Sequence, residues 1–296
     1  MDISVVIPVY NRANELRMSL QSLARQTISP ERFEVIIADD GSAEDIEGVL
    51  KDFPKLQSVY THQPDEGFRV AAARNLGADR ATGDIIVYSD NGMLFKSNTL
   101  EKHFSRHQNE NENFVALGNM YAAGWGIDAD RALEILEGNN PDDAITIMKA
   151  ENMNDGRGYM FEKFGTEVDT WYIPWQALWG GHFSVNAAFV RKHNVRWNET
   201  FVFWGGEDNE YGIQLCNVGA RLCFCEDIEV VHYPTPGSKV ITAADDEFRK
   251  NYDRVKNHIF SLHPTRPVET WFEIGGGAND AEKRAELFVQ KGWLDD

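Results

Sequence analysis

The sequence predicts an α/β fold in which a mostly parallel central sheet carries helices on both faces. Residues 1–100 alternate strand-like and helix-like segments, and the strand-like ones are apolar runs such as Ile3–Ile7 and Val35–Ala38. Continuous apolar runs are typical of parallel strands that are covered on both faces. Two of these strands run straight into polar loops, and open α/β sheets bind ligands at the carboxyl ends of their strands.

The remaining elements follow in a regular order along the chain. Leu16, Leu20 and Leu23 recur at helical spacing and predict a helix after the first strand. A polar stretch over 128–164, broken by Asn139-Asn140-Pro141, predicts two helices of an insertion or lid. Further strands are predicted at 57–61, 84–89, 114–121 and 221–232, and further helices at 46–53, 67–81, 99–108, 186–193, 207–218 and 243–260, with a last helix after the glycines at 275–277.

Composition excludes several classes of function. The net charge of −18 over 296 residues argues against a nucleic-acid partner and against electrostatic docking on anionic lipid. No apolar run has the length of a membrane span, and no secretory pattern opens the chain. The three cysteines, an odd and sparse set, fit a reducing compartment, so we expect a cytoplasmic protein. Peripheral contact with a membrane through the C-terminal helices stays open.

The loops after the first two strands predict a site for a nucleoside. The first is Pro8-Val9-Tyr10-Asn11-Arg12 and the second is Asp39-Asp40-Gly41-Ser42. The glycine-rich dinucleotide motif is absent after the first strand. A proline-tyrosine-arginine loop beside two carboxylates suits a base and ribose better than a bare pyrophosphate.

Charged side chains near other strand and helix ends could extend this site. Asp90 follows an inner strand and could bind a divalent cation or a ribose hydroxyl, with an ordinary turn as the alternative. Arg69 and Arg74 surround the start of the third helix, and arginine is a preferred partner of phosphate. His232 stands at the end of a late strand, where it could be a metal ligand or a polar residue whose hydrogen bonds are made within the protein.

A second group of motifs could carry chemistry. In Trp204-Gly205-Gly206-Glu207-Asp208-Asn209-Glu210, two adjacent acids open a helix, where a carboxylate beside a tryptophan could act as general base. A plain acidic helix start is the alternative. Trp171, Trp175 and Trp179 are spaced by four and precede Gly180-Gly181. This helical stripe could be core or a platform for sugar rings.

These motifs carry a resemblance to a known family. Val6–Arg12, Ile37–Ser42 and Ala73–Gly77 look like the family 2 glycosyltransferases of GT-A fold, and Gly67–Gly77 resembles the bacterial chondroitin-polymerase type. Phe203–Asp208 is similar to a carboxy-terminal module of galactosyl- and N-acetylgalactosaminyltransferases. The resemblance covers residues 1–110 and 175–235.

The resemblance implies an inverting glycosyltransferase. Its donor would be a UDP-sugar, a hexose or N-acetylhexosamine with the galactose type favoured, and its acceptor a hydroxyl of a glycan or glycoconjugate. Carried over by motif, Pro8, Tyr10 and Arg12 would line the base pocket, Asp39 or Asp40 would hydrogen-bond uracil, and Arg74 would lie near the nucleotide. Asp208 would be the catalytic base, with Glu207 binding the acceptor or helping to position the base, and His232 would contact the metal or the diphosphate. The residue patterns above add Arg69 and Asp90 as nucleotide contacts and Trp175, Trp179, Gly181 and Trp204 as acceptor contacts.

The family also implies Mn²⁺ or Mg²⁺, which neutralises charge on the diphosphate. Its D-x-D motif falls at Asp90-Asn91-Gly92, so only one carboxylate remains. Metal binding would then be weaker, lean on His232, or be replaced by a cationic side chain. A catalytically silent nucleotide-sugar-binding relative stays an alternative. A sugar nucleotidyltransferase is a further one, although the first loop lacks the glycine-rich, basic sequence it needs.

The resulting domain prediction has two parts. Residues 1–235 form the GT-A domain, with a nucleotide-binding half over 1–110, an acceptor and catalytic half over 111–235 and a helical insertion over 128–170. Residues 236–296 form a C-terminal helical extension.

Overall fold

A computed structural model describes residues 1–123, 127–234 and 246–273. Its described strands form one sheet in the order β3-β2-β1-β4-β7-β6-β8-β5. The strands are β1 Ile3–Val9, β2 Phe33–Asp39, β3 Ser58–His62, β4 Ile85–Ser89, β5 Met93–Phe95, β6 Phe114–Tyr121, β7 His182–Asn186 and β8 Arg221–His232.

Helices cover both faces of this sheet. The α-helices are α1 Ala13–Leu23, α2 Ile46–Leu50, α3 Val70–Ala78, α4 Thr99–Gln108, α5 Ala129–Gly138, α6 Pro141–Ala150, α7 Gly158–Phe164, α8 Ala187–Lys192, α9 Glu207–Asn217, α10 Asp246–Leu262 and α11 Arg266–Glu273. Short 3-10 helices occur at Pro30–Arg32, Val168–Thr170 and Pro174–Ala177. No described helix has both the length and the apolar character that crossing a membrane requires.

The first half of the sheet is parallel, as predicted. β1 pairs in parallel with β2 and β4, and β2 pairs in parallel with β3. Every residue of β1 and β2 is buried, because helices pack on both faces. α3 lies so close to β1 that a side chain at Gly77 would stand 2.5 Å from Val6. This half places the ends of β1, β2 and β4 at one edge.

Two strands of the second half were not predicted. β5 and β7 are antiparallel to their neighbours, and β7 lies between β4 and β6. Both are short and lie outside the alternating strand-helix units, so their sequences carried little periodic signal. The stretch 171–179 is not a continuous helix, since only Pro174–Ala177 forms one 3-10 turn. The predicted last helix lies outside the described residues.

The predicted insertion packs against the sheet. α5 and α6 bury Ile135, Ile145 and Met148 in a cluster with Val231 of β8. In α7, the ring of Phe161 stacks on Phe224 with 3.7 Å between ring centroids. These contacts join the insertion to the strands that end at the predicted site.

Helices α10 and α11 cover α9. Val255 and Ile259 of α10 share a buried cluster with Phe201 and with Ile213 of α9. The sole part of the predicted C-terminal extension that the structure describes, residues 246–273, is therefore packed on the helix that the acidic motif opens.

Candidate active site

An open cleft of about 460 Å³ lies at the edge of the sheet where β4 and β8 end and β7 begins. β7 is antiparallel to β4, so its first residue lies at the same edge as the last residue of β4. The cleft is lined by Arg74, Asp90, Met93, Met120, Ala123, Trp179, Gly180, Gly181, Trp204, Gly205, Gly206, Glu207, Asp208, Asn209 and His232. The strand-end and acidic motifs, distant in sequence, thus share one cleft.

Arg74 connects the two acidic motifs. Its Nη2 lies 2.9 Å from Asp90 Oδ1, and its Nη1 lies 3.1 Å from Glu207 Oε1. The side chain is only 3% exposed, and its guanidinium lies 4.3 Å from the ring centroid of Trp197. Two carboxylates raise the pKa of Arg74 despite burial, so the cation is fixed in the wall.

Gly180 allows this arrangement. A Cβ at Gly180 would lie 2.5 Å from Arg74 Nη2, so any side chain there would displace the guanidinium. The Gly180 amide also donates to Asp208 Oδ2 at 3.1 Å. One glycine therefore permits the close approach of Arg74 and holds the second acid of the motif.

Asp208 has the properties of a base that works near neutral pH. It is half-buried in the first turn of α9, and its Oδ1 accepts a hydrogen bond from the Asn209 amide at 2.8 Å. Burial, followed by the charge of Glu207, raises the pKa of Asp208 to about 7, against the lowering effects of its hydrogen bonds and of Arg74. A carboxylate with this pKa can accept a proton at physiological pH.

Glu207 has one oxygen without a partner. Oε1 pairs with Arg74, whereas Oε2 is buried and makes no hydrogen bond within the described chain. A buried carboxylate oxygen in the wall of a cleft is costly unless something donates to it. A ligand hydroxyl in the cleft could supply that donor.

The two aspartates after β2 are largely engaged within the protein. Asp39 Oδ1 accepts from the Ser42 amide at 2.8 Å, and Oδ2 accepts from the Tyr60 hydroxyl at 2.7 Å. Asp40 accepts from the Arg69 amide at 3.0 Å, and burial raises the pKa of Asp40. These bonds shape the loops after β2 and β3.

Other predicted nucleotide residues differ in accessibility. Tyr10 is 50% exposed, and its hydroxyl donates to Asp65 at 3.1 Å. Arg12 adopts a φ of 62° at the start of α1, and its Nε lies 3.1 Å from Glu15. Pro8, by contrast, is buried inside β1 opposite Ala38, so the structure does not bring it to an open pocket.

The predicted metal residues Asp90 and His232 both line the cleft. The Asp90 side chain is 40% exposed, and burial lowers the pKa of His232, which keeps its imidazole in the neutral, metal-binding form. Gly92 has a φ of 94°, so a side chain at this position of the motif would be strained in the present backbone. Within residues 1–123, 127–234 and 246–273, no three histidine, cysteine or acidic side chains converge on one point.

The predicted acceptor residues divide into two groups. Trp179, Gly181 and Trp204 line the cleft, and Trp204 is 57% exposed. Trp175 is 7% exposed and belongs to the buried cluster of Phe201, so the structure places it in the core and not among the cleft residues. Because the chain forms only a 3-10 turn over Pro174–Ala177, the four-residue spacing does not bring the tryptophans onto one face of an α-helix.

Several cleft residues escaped the sequence analysis. Met93 and Met120 come from β5 and β6, and neither carries a motif. Asn209 follows the acidic pair and donates through Nδ2 to the Trp175 carbonyl at 3.2 Å. Asn209 belongs to the acidic motif that the sequence analysis singled out, although it was given no role there, whereas the position of the methionines depends on the order of strands.

Comparison with known proteins identifies relatives. The sequence model described as "Glycosyl transferase family 2" matches residues 4–172. Validoxylamine A glucosyltransferase of Streptomyces hygroscopicus subsp. limoneus is 33% identical over 216 residues, which is 72% of this chain and 47% of that protein. Chondroitin synthase of Escherichia coli is 28% identical over 252 residues, which is 80% of this chain and 35% of that protein. The chain thus spans half or less of the length of these relatives.

Solved structures share the fold. S. aureus TarS 1-349 in complex with UDP-GlcNAc superposes with a TM-score of 0.64 at 17% identity, covering 100% of this chain and 74% of that one. The mannosyltransferase PcManGT from Pyrobaculum calidifontis, in complex with GDP-Man and Mn²⁺, superposes with a TM-score of 0.55 at 15% identity, covering 99% of this chain and 75% of that one. The predicted GT-A fold is confirmed.

Proposed function

The chain belongs to glycosyl transferase family 2, and from that membership we propose that it transfers a sugar from a UDP-sugar to an acceptor hydroxyl. The observation that carries the proposal is Asp208, a half-buried carboxylate whose pKa is raised to about 7 in the cleft. Close to it, Arg74 ties Glu207 to Asp90. The reaction needs a base for the acceptor hydroxyl, for which we propose Asp208, and a group beside the departing diphosphate, for which we propose Asp90.

The donor would enter over the loops after β1 and β2. Tyr10 offers an exposed ring on which the uracil of the donor could stack. The carboxylates of Asp39 and Asp40, which accept hydrogen bonds from the backbone amides of Ser42 and Arg69, lie at the same edge of the sheet and would bind the uracil. A hexose or N-acetylhexosamine is proposed as the sugar, since the TarS neighbour holds UDP-GlcNAc. The likeness of Phe203–Asp208 to galactosyltransferase modules favours the galactose type.

The reaction would invert the anomeric carbon. Asp208 takes the proton of the acceptor hydroxyl while the hydroxyl oxygen of the acceptor bonds to the anomeric carbon from the face opposite UDP. The bond from that carbon to the diphosphate oxygen breaks, and UDP leaves with the electron pair. Glu207 Oε2, buried without a partner in the described chain, would accept a hydrogen bond from the acceptor and orient it.

A divalent cation fits this site through Asp90 and His232. Asp90 would supply one carboxylate ligand and His232 one neutral imidazole, and diphosphate oxygens of the donor would supply the oxygen ligands that Mg²⁺ and Mn²⁺ prefer. When bound, the cation would neutralise charge on the departing diphosphate. Arg74, whose described ion pairs go to Asp90 and Glu207, is the cationic side chain that would stand near the diphosphate if no metal is bound.

Trp179 and Trp204 are proposed as walls for the acceptor sugar. Both line the cleft that Asp208 lines, and the exposed side chain of Trp204 can contact the apolar face of a sugar. The acceptor would be a glycan or glycoconjugate.

The first experiment is calorimetric titration with UDP, GDP and CMP, each with and without Mn²⁺, on the wild type and on Asp90→Asn. We expect UDP-selective binding that Mn²⁺ strengthens in the wild type and strengthens less in Asp90→Asn. UDP binding that ignores Mn²⁺ in both proteins would contradict the proposed cation site. If none of the three nucleotides binds, the proposal that the chain uses a UDP-sugar donor is wrong.

A second candidate is a catalytically silent nucleotide-sugar-binding protein, which the single carboxylate at Asp90-Asn91-Gly92 favours. Slow hydrolysis of a UDP-sugar, with water as acceptor, separates the two. A rate that disappears in Asp208→Asn supports the transferase. UDP binding without any hydrolysis supports the silent relative.

A further inference from the structure

We infer that helix α10 is a working part of the active site, in which Asn251 and Val255 are positioning residues for the loop Phe203–Asp208. The inference rests on the proposed function and assigns to residues 246–273 more than the covering role of an extension. It starts from the conformation of that loop and from what contacts it.

The loop has an unusual backbone that needs support. Gly205 and Gly206 have φ values of 92° and 88°, in the left-handed region that favours glycine. Trp204, just before them, has a ring that is 57% exposed, so that side chain does little to anchor the loop in the core. Two consecutive glycines are also the most flexible residues a loop can have, so outside contacts must select one conformation.

Asn251 supplies one such contact. Its Nδ2 donates to the carbonyl of Trp204 at 2.8 Å, across 47 residues of sequence. Val255, one helical turn later, supplies the other. A Cβ at Gly206 would lie 2.5 Å from Val255 Cγ1 and 3.3 Å from Ile259 Cδ1. The helix therefore packs on the bare backbone of the second glycine.

Ties on either side of the loop hold α10 in this place. Before the loop, Thr200 Oγ1 lies 2.8 Å from His258 Nε2. After it, Glu210 Oε1 lies 2.8 Å from His263 Nε2, beyond the end of α10. The helix thus spans the segment that carries Trp204, Glu207 and Asp208.

The consequence is positional. Gly206 is the cap of α9, and Glu207 and Asp208 are the next two residues, so a rotation about either glycine moves the carboxylate of Asp208. Displacement of a reacting group by about 1 Å can lower a rate about 100-fold. Asn251 and Val255 act through the loop and do not themselves line the cleft.

The test compares Asn251→Asp with Asn257→Asp. Aspartate has the shape of asparagine but cannot donate to the Trp204 carbonyl. Asn257 lies on the same helix and is exposed, so its variant adds the same charge without touching the loop. Three quantities are measured: kcat for UDP-sugar hydrolysis, the Kd for UDP, and hydrogen exchange of residues 201–210.

We expect kcat to fall roughly tenfold or more in Asn251→Asp, with the Kd for UDP within about twofold and faster exchange over 201–210. Asn257→Asp should match the wild type in all three. Val255→Ala, which removes the contact with Gly206 but keeps the hydrogen bond, should give the same pattern and serves if Asn251→Asp does not fold.

Unchanged exchange over 201–210 and unchanged kcat in both Asn251→Asp and Val255→Ala would overturn the inference. A higher Kd for UDP with an unchanged kcat would overturn it as well, since the proposed effect is on the position of Asp208 and not on the donor site. A wild type that neither binds UDP nor hydrolyses UDP-sugars is a different result, because it removes the proposed function while the exchange experiment still tests the loop.

Discussion

The substitution Asp208→Asn tests the proposed base, because it removes the ability of the side chain to take a proton and keeps its size. The amide has the size of the carboxylate but cannot take a proton from an acceptor hydroxyl. A positioned general base contributes about 10²–10⁴ in rate, so kcat should fall by that factor. The donor loops after β1 and β2 are untouched, and the Kd for UDP should stay within about twofold.

The wild-type pH profile follows from the same residue. With the pKa of Asp208 raised to about 7 by burial and by Glu207, the base is protonated in acid. The value of kcat/KM should therefore fall about tenfold per pH unit below 7 and level off above it. The residual activity of Asp208→Asn should lack this dependence.

Stability should change in the opposite direction from activity. Because the folded pKa of Asp208 is about 7 and its ordinary value is 3.8, the folded state loses stability as the pH rises between them. The full penalty, present above pH 7, is at most about 4 kcal/mol. The asparagine lacks it, although one of the two backbone donors at this position then loses its acceptor, which costs about 1–3 kcal/mol.

The assay is urea unfolding of both proteins at pH 5.5 and 8.5. The stability of Asp208→Asn relative to the wild type should be greater at pH 8.5 by about 2 kcal/mol, the part of the penalty that develops between these pH values. An equal difference at both pH values would show that the pKa is not raised. Retention of more than a tenth of the wild-type kcat would refute the assignment of the base.

Four other substitutions have effects that follow from the structure. Arg74→Met should lower the free energy of unfolding by about 3–5 kcal/mol in urea titration, because two carboxylates lose a buried partner; a loss below 1 kcal/mol would contradict this. Trp204→Ala should change stability by less than about 0.5 kcal/mol, whereas Trp175→Ala should cost about 3–5 kcal/mol, and equal costs would contradict their different burial. Tyr10→Ala should weaken UDP binding about five- to hundredfold in calorimetry if its exposed ring stacks on the base, and an unchanged Kd would remove Tyr10 from the site.

The parallel half of the fold was predictable from local sequence. β1 and β2 are continuous apolar runs, and Leu16, Leu20 and Leu23 of α1 recur at the helical period. Their signals are strong because both faces of the strands are buried. β5 and β7 escaped prediction, since a strand of three residues has almost no pattern, and β7 adjoins the Gly180-Gly181 pair, which reads as a turn.

The tryptophan stripe shows where periodicity misleads. Spacing by four is a helical signal only if the chain is helical, and Pro174 starts a 3-10 turn instead. Trp175 consequently packs in the core while Trp179 and Trp204 line the cleft. Burial of an aromatic ring depends on neighbours that are remote in sequence.

By itself, the sequence determined which residue types stand at the ends of strands and helices: Asp39 and Asp40 after β2, Asp90 after β4, and Glu207 and Asp208 at the start of α9. These follow from local chain direction, since an apolar run that stops at an acid leaves that acid at the edge of a sheet. Only the tertiary structure decided that Arg74 joins Asp90 to Glu207 and that α10 packs on Gly206. Such contacts cross up to 133 residues and depend on the order of strands, which local patterns do not encode.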